Sequence, residues 1–485
     1  MIGKIHKPYK LILISVFLFI FSFKVFNISD YFYPTTDSLP INLTTLNIIF
    51  NKRYDLDNFK KILRKKGLIG ITIVNKNNKK IYSKVPIIVG LLNVPAFYLF
   101  NKYFGINYLS EKTLLDSDYS QFIGKFTASI YTSLSSVFLF LSLYYFEKKL
   151  RKPLIVTLIY TLCTNVFNTA SQANWQHGIS LMFINLSIFI YIYFMKYQGK
   201  KGLNLRSTLP VSFLLALLTQ IRISNGIYLV FFIYLLIKEK FIKTTKIIFF
   251  IGSFIFFYFL FFLFNKLNNF PYGYANEIFF SLKEISPLIF IKNLISLLVS
   301  PNYGLFTFSP ILLFIFLVFL NKKLIQKKFI QASIITIFIF ILFSSSWWMW
   351  TGGKSLNARL LSEANPLFII LLFYVVASIK KVRIFNLVFL LFLLISFYIN
   401  ILTTLFLDIS YYDKYPFKVG HKNQIWNAWY IKPPLILYLA KRNIIKIKKV
   451  YKKNNNIFVK TLVYRPSFKY KGIIKLFEKE ERLIY

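Results

Sequence analysis

Apolar runs of about 20 residues recur along most of this 485-residue chain. A run of this length matches the hydrocarbon thickness of a bilayer when it forms an α-helix. The chain is therefore predicted to be an all-α polytopic membrane protein with about eleven transmembrane helices. The predicted spans lie near residues 11–27, 126–146, 154–171, 178–196, 208–221, 225–238, 246–265, 308–320, 329–346, 364–379 and 384–406.

Short basic loops between these runs predict how the helices are oriented. Loops rich in Lys and Arg stay in the cytoplasm. All of the basic loops fall on one side only if the apolar stretch 86–104 does not cross, so we predict that it forms a juxtamembrane helix at the outer surface. The N-terminus is then cytoplasmic and the C-terminus extracytoplasmic, in the cell (inner) membrane. The basic loops are 147–152, 196–206, 238–246, 321–328 and 380–383.

The same map divides the chain into two parts. Residues 1–406 form the predicted membrane domain, and residues 28–125 are its first outer loop. Residues 407–485 form a small extracytoplasmic surface tail. Within the tail, the alternating stretch Ile457–Tyr464 predicts a β-strand.

Composition narrows the classes of function. The formal net charge is +44, but the basic residues lie in loops between apolar runs, where they orient helices and contact anionic lipids. We therefore predict membrane lipids as partners and no nucleic acid. The single cysteine and three scattered histidines exclude a disulfide framework and a cysteine metal cluster.

Acidic residues are scarce, and most of them fall on the predicted outer side. The chain has 17 Asp and Glu residues. Asp37 follows the first helix by about ten residues, at the membrane surface, where a carboxylate can act as a general base. The alternative is that Thr36 or Asp37 simply caps the helix predicted at 39–50.

Polar residues in three other places are candidate substrate ligands. His177 belongs to a polar cluster between two apolar runs, where it either starts a helix or serves a site. Arg222 interrupts a membrane hairpin, as a snorkelling anchor or as a phosphate ligand. Three tryptophans, two glycines and two cations share the segment Trp347–Arg359. Within it, Trp350 is a candidate for stacking on a sugar, and Lys354 and Arg359 for neutralising a phosphate.

Several of these segments, taken in order, resemble bacterial polytopic glycosyltransferases of the GT-C fold. The closest group is the relatives of protein O-mannosyltransferases and of the lipid A aminoarabinose transferase. The similarity covers roughly residues 10–405. The matching segments are 36–40, 51–57, 82–86 with Gly90, 171–178, Arg222, 300–306 with 309–310, and 347–359.

The resemblance implies a sugar transfer from a polyprenyl-phosphate lipid to an acceptor on the outer side. By this resemblance Asp37 is the base, and Lys84, Arg222 and Arg359 hold the lipid phosphate. Two departures argue against a divalent metal. Ser38 stands where many relatives have a second acid after Asp37, and His177 stands in a loop where another acid is expected.

The function predicted from the sequence is therefore that of a membrane glycosyltransferase of the cell envelope, a hexosyl- or pentosyltransferase. The acceptor is a lipid, a glycan or a protein. No cofactor is certain, and a divalent metal is possible but disfavoured by the two departures. Two alternatives remain open. One is a polymerase or ligase of surface polysaccharide, in which the key Arg and His residues would lie in one large late loop. The other is a lipid or glycan transporter, which would carry ionisable residues in the middle of the membrane or show internal repeats.

Overall fold

The chain folds mainly into α-helices. The computed structural model describes residues 6–28, 37–65, 72–74, 79–104, 117–198, 205–239, 244–271, 285–353, 355, 357–378, 383–406, 425, 428–429, 445–453, 456–464 and 477–482. The α-helices are α1 (His6–Phe26), α2 (Ser38–Asn51), α3 (Lys60–Lys65), α4 (Ile87–Phe104), α5 (Ser117–Glu147), α6 (Arg151–Leu162), α7 (Gln176–Gln198), α8 (Leu205–Ile221), α9 (Tyr228–Ile237), α10 (Thr244–Leu267), α11 (Pro287–Val299), α12 (Leu305–Phe308), α13 (Lys322–Ile325), α14 (Lys328–Ser346), α15 (Asn365–Ser378) and α16 (Arg383–Phe406).

Tighter or wider helical turns join several of these helices. A π-helical turn spans Val166–Ala170. The 3₁₀ segments are Asp57–Phe59, Ile223–Ile227, Pro310–Val318 and Arg359–Ala364.

Seven helices in the described part of the chain are long and apolar enough to cross a membrane. All seven coincide with predicted spans, which confirms a multi-pass α-helical membrane protein. They are α1, α5, α7, α10, α14, α15 with its preceding 3₁₀ turn, and α16.

Four predicted spans form shorter or interrupted helices instead. The run at 154–171 breaks after Leu162 into the π-helical turn. In the run at 308–320, Pro310 cannot donate a helical backbone hydrogen bond, and a 3₁₀ segment follows. The runs at 208–221 and 225–238 form α8 and α9, which are both short. The total of eleven spans therefore remains a prediction.

The membrane helices differ in how much of each is covered by protein. Of the apolar stretch that includes α15, 83% is buried, compared with 6% for α10 and 17% each for α1 and α16. Apolar side chains left exposed on a membrane helix face lipid, so α1, α10 and α16 are peripheral. Helices α5, α7 and α15 form the centre of the bundle.

Contacts between helix ends bring described parts of three predicted basic loops, 147–152, 238–246 and 321–328, to one end of the bundle. Lys328, at the start of α14, pairs with Glu239, just after α9. Lys152 in α6 pairs with Glu147 at the end of α5 and donates a hydrogen bond to the carbonyl of Ala377 in α15. We call this the basic end. The opposite ends of the same helices form the other end of the bundle, which we call the site end.

The stretch predicted to be a juxtamembrane helix is α4, which contains Pro95. Its apolar part, Ile87–Phe100, is too short to count among the seven candidate spans. It packs beside α2 and follows a small antiparallel hairpin of β1 (Thr72–Val74) and β2 (Ile81–Ser83). Its position at the outer surface remains a prediction.

The tail contains a second sheet, so two small sheets qualify the all-α prediction. Strands β3 (Ile445–Lys453), β4 (Asn456–Tyr464) and β5 (Phe477–Arg482) are antiparallel in the order β3-β4-β5. The strand predicted at 457–464 is thereby confirmed. Another part of the tail packs into the membrane domain, because Ala428 is fully buried and its carbonyl accepts a hydrogen bond from Asn302.

Candidate active site

A cluster of charged side chains from separate segments lies at the site end. Arg359 Nη2 donates to Asp37 Oδ2 at 2.8 Å, and Arg359 Nε donates to His177 Nε2 at 3.2 Å. His177 Nδ1 lies 2.8 Å from Glu363 Oε1. Arg222 Nη1 donates to both carboxylate oxygens of Glu363, at 3.0 and 3.1 Å. Two acids and two arginines thus balance in charge around one imidazole.

Asp37 occupies the N-cap position of α2, but its side chain does not cap the helix. An N-cap carboxylate normally accepts from a backbone N–H in the first helical turn. Here the carboxylate pairs with Arg359, more than 300 residues away in the chain. The geometry therefore disfavours the capping role that the sequence left open.

His177 is the second residue of α7 and is almost fully buried between Glu363 and Arg359. Because the guanidinium of Arg359 can only donate, His177 Nε2 must accept. Nδ1 then carries the hydrogen and donates to Glu363. The neutral Nδ1–H tautomer satisfies both bonds. In this tautomer Arg222 Nη1, which is 3.0 Å from Nδ1, directs its hydrogen at Glu363 instead.

Glu363 was not a predicted site residue, and it lies at the centre of the cluster. Its side chain has no exposed surface, and Tyr228 donates a 2.6 Å hydrogen bond to its backbone carbonyl. The sequence did carry a signal for it. Glu363 is an acid four residues after Arg359, at the start of a long apolar run in a chain with few acids.

Trp175 is a second site residue that the sequence reasoning did not single out. The Arg359 guanidinium carbon lies 4.5 Å from the centre of the Trp175 ring. A cation over an aromatic face is stabilised by the ring quadrupole. Trp175 therefore holds the guanidinium plane while Asp37 and His177 bind its nitrogens.

Buried asparagines fix the segment that carries Arg359 and Glu363. Asn165 Nδ2 donates to the Asn357 carbonyl at 2.9 Å, and Asn365 Nδ2 donates to Asn165 Oδ1. Asn357 Nδ2 lies 3.3 Å from Asn400 Oδ1 in α16. Buried polar groups with hydrogen-bond partners specify a single arrangement. These contacts therefore tie the segment to the π-helical region and to α16.

The backbone just before Arg359 is strained. Asn357 and Ala358 have φ values of 50° and 44°, which non-glycine residues rarely adopt. The Ala358 N–H donates to the Tyr303 carbonyl at 2.7 Å, which helps to hold this conformation. Strained backbone persists where its surroundings over-determine it, typically at functional sites.

Gly352 lets the preceding loop pack against Arg359. Its φ is +73°, and a Cβ there would lie 2.7 Å from Ser355 Oγ and 3.4 Å from Arg359 Cβ. The backbone at Gly352 therefore lies close to the arginine. Lys354, which follows these glycines, lies outside the described residues.

Trp350 is fully buried, and none of its contacts in the described structure reaches the charged cluster. Its ring packs edge-on against Tyr303, with ring centres 6.5 Å apart. An enclosed ring presents no free face to a sugar. The structure gives Trp350 a packing role beneath the segment that carries Arg359, and Trp175 is the tryptophan at the cluster.

Lys84 follows β2, which the carboxylate of Asp57 helps to hold in place. Asp57 Oδ1 accepts from the Ile81 N–H at 3.0 Å. Lys84 is half-buried, and the next residue, Val85, packs with Ile179 and Ile221. Those residues flank His177 and Arg222 in the chain, so the Lys84 segment borders the cluster.

The described residues include no group of three or more His, Cys, Asp or Glu side chains placed to hold a metal ion. No model of a known protein family matches the chain, and no curated protein matches it. The chemistry of the cluster is therefore the basis for a functional assignment.

Proposed function

We propose that this chain is a membrane glycosyltransferase that moves a sugar from a polyprenyl-phosphate-linked donor to a lipid, glycan or protein acceptor on the extracytoplasmic face. The observation that carries the proposal is the Asp37–Arg359 ion pair, joined through His177 to Glu363 and Arg222. This network brings an acid together with two arginines that can bind a phosphate, at one end of a membrane bundle.

Asp37 is the general base in this proposal because it is the acid that a substrate can reach. Its side chain is 29% exposed, whereas that of Glu363 is 0% exposed. Asp37 removes the proton of the acceptor hydroxyl. The hydroxyl oxygen then bonds to the anomeric carbon of the sugar, and the bond from that carbon to the phosphate oxygen breaks. The lipid phosphate leaves with the electron pair.

Arg359 and Arg222 stabilise the leaving phosphate. Arginine presents five N–H donors in a planar fork that matches a phosphate. Each arginine is partly exposed, and its contact with a carboxylate uses one of its nitrogens. Lys84, on the neighbouring segment, adds a third cation. Fixed donors aimed at developing charge are often the largest contribution to catalysis.

The resting ion pair adds a consequence for the order of events. An incoming phosphate competes with Asp37 for the guanidinium of Arg359. When Arg359 turns to the phosphate, the Asp37 carboxylate is released toward the acceptor hydroxyl. Donor binding therefore prepares the base. During the exchange, the buried His177–Glu363 pair keeps its hydrogen bond to Arg359 Nε, so that only Nη2 changes its partner.

Lys354 and Trp350 contribute less to this proposal. Lys354 remains a predicted phosphate ligand on the basis of the sequence. Trp350 supports the Arg359 segment from within the core, and contact with a sugar falls to other side chains. The two alternatives differ in their products. A polymerase lengthens a lipid-linked glycan, and a transporter leaves its cargo chemically unchanged.

The test is to delete the gene and analyse surface glycans and lipid-linked sugars by mass spectrometry. We expect one sugar to disappear from a surface acceptor while its polyprenyl-phosphate donor accumulates. Wild-type protein should restore both, and the Asp37→Asn variant should restore neither. Shortened glycan chains without a lost monosaccharide would favour the polymerase, and unchanged sugars on both carriers would refute the proposal.

A further inference from the structure

A cavity of about 450 Å³ lies at the basic end, far from the charged cluster. Its walls include Phe146, Met195, Phe329 and Tyr374, and its polar lining includes Lys327 and Lys328. The volume is within the range of small-molecule sites. The cavity therefore combines an apolar wall with two cations where several membrane helices end.

The two lysines differ in their partners. Lys328 pairs with Glu239, which neutralises it and fixes its position. Lys327 has no carboxylate partner among the described residues, and its ammonium lies 4.6 Å from the centre of the Tyr374 ring. Within the described structure, the cavity thus has one cation without a carboxylate partner beside an apolar wall.

We propose that this cavity binds the phosphate headgroup of an anionic phospholipid. The phosphate lies against Lys327, with Lys328 beside it, and the glycerol and first acyl carbons lie against Met195, Phe146 and Phe329. Basic pockets between membrane helices recognise anionic headgroups in this manner. A soluble phosphate would gain nothing from the apolar wall. The proposal does not depend on the glycosyltransferase assignment, because none of these residues touches the charged cluster.

The experiment uses the full chain, purified in detergent and mixed with equal amounts of phosphatidylglycerol and phosphatidylcholine of matched chain length. Native mass spectrometry counts the lipids that remain bound. We expect selective retention of phosphatidylglycerol. Lys327→Gln should reduce that retention about fivefold, the effect of one lysine near an anionic lipid. Lys327→Arg should preserve it.

Two further variants separate the cavity from general surface charge. Lys323→Gln removes an exposed lysine of the same segment that does not line the cavity, and it should leave retention unchanged. Met195→Trp fills the cavity without changing charge and should lower retention as Lys327→Gln does. Three results would overturn the proposal. They are equal retention of the two lipids, equal losses in Lys323→Gln and Lys327→Gln, and displacement of the lipid by an equal concentration of glycerol 3-phosphate.

Discussion

The two ends of the bundle both collect charged residues, but they do so in different ways. At the site end, acids and arginines bind one another around a buried imidazole, and Glu363 has no exposed surface. At the basic end, lysines predominate, and the Lys328–Glu239 pair is partly open to solvent. Charged residues in loops can orient membrane helices without an exact geometry. A catalysed reaction needs charged groups that are held in fixed positions. The contrast supports placing the proposed reaction at the site end.

The largest effect that this contrast predicts is on turnover. Asp37→Asn keeps the size of the side chain but removes its ability to accept a proton. We expect transfer to fall by a factor on the order of 10²–10⁴, the usual contribution of a general base. The measurement is product formation per molecule at equal membrane abundance.

Asp57→Asn is the matched control for that variant. Asp57 accepts a backbone hydrogen bond from Ile81, and an asparagine oxygen can accept it as well. Its activity should stay near that of the wild type. Near-normal transfer by Asp37→Asn would remove Asp37 from the mechanism.

The next effect is on stability, and it compares the two ends directly. Arg222→Ala leaves the Glu363 carboxylate buried with one fewer partner, which should lower the free energy of unfolding by about 3–5 kcal/mol. Lys328→Ala at the basic end removes a partner from a more exposed pair and should cost about 0–1 kcal/mol. Unfolding in detergent measures both. If both variants lose the same free energy of unfolding, the two ends of the bundle do not differ as described.

A smaller effect concerns the loop beside Arg359. Gly352→Ala forces an alanine into left-handed backbone next to Ser355, which should cost about 1–2 kcal/mol of stability and lower transfer by shifting Arg359. Gly252→Ala in α10 is the control, because nothing lies within 4 Å of a Cβ there. If both variants keep the stability and activity of the wild type, the loop at Gly352 does not position Arg359.

The sequence predicted the parts of the fold that follow from local hydrophobicity. The long apolar runs predicted the seven candidate membrane helices of the described residues, and strand alternation predicted β4. The interrupted runs were harder, because Pro310 and the π-helical turn change the helix type without changing the hydrophobicity. The position of three basic loops at one end of the described bundle was predictable from charge alone.

The candidate site was only partly predictable, because its contacts join distant segments. Positions in the predicted topology and the family resemblance pointed to Asp37, His177, Arg222 and Arg359, and the structure brings these four together. Glu363 was missed because an acid near an apolar run looks like an ordinary interfacial residue until its partners are known. Trp350 was chosen because tryptophan often binds sugars, yet burial depends on tertiary packing, which the sequence does not encode locally.

The most direct test of the account is the sidedness of the two ends. Leu115 stands two residues before Ser117 in the sequence, where α5 begins at the site end, and Lys323 lies at the basic end. In a chain whose buried Cys163 is replaced by serine, Leu115→Cys should react with an impermeant thiol reagent in intact cells. Lys323→Cys should react only after the cells are permeabilised. The reverse pattern would place the charged cluster in the cytoplasm and contradict transfer on the outer face.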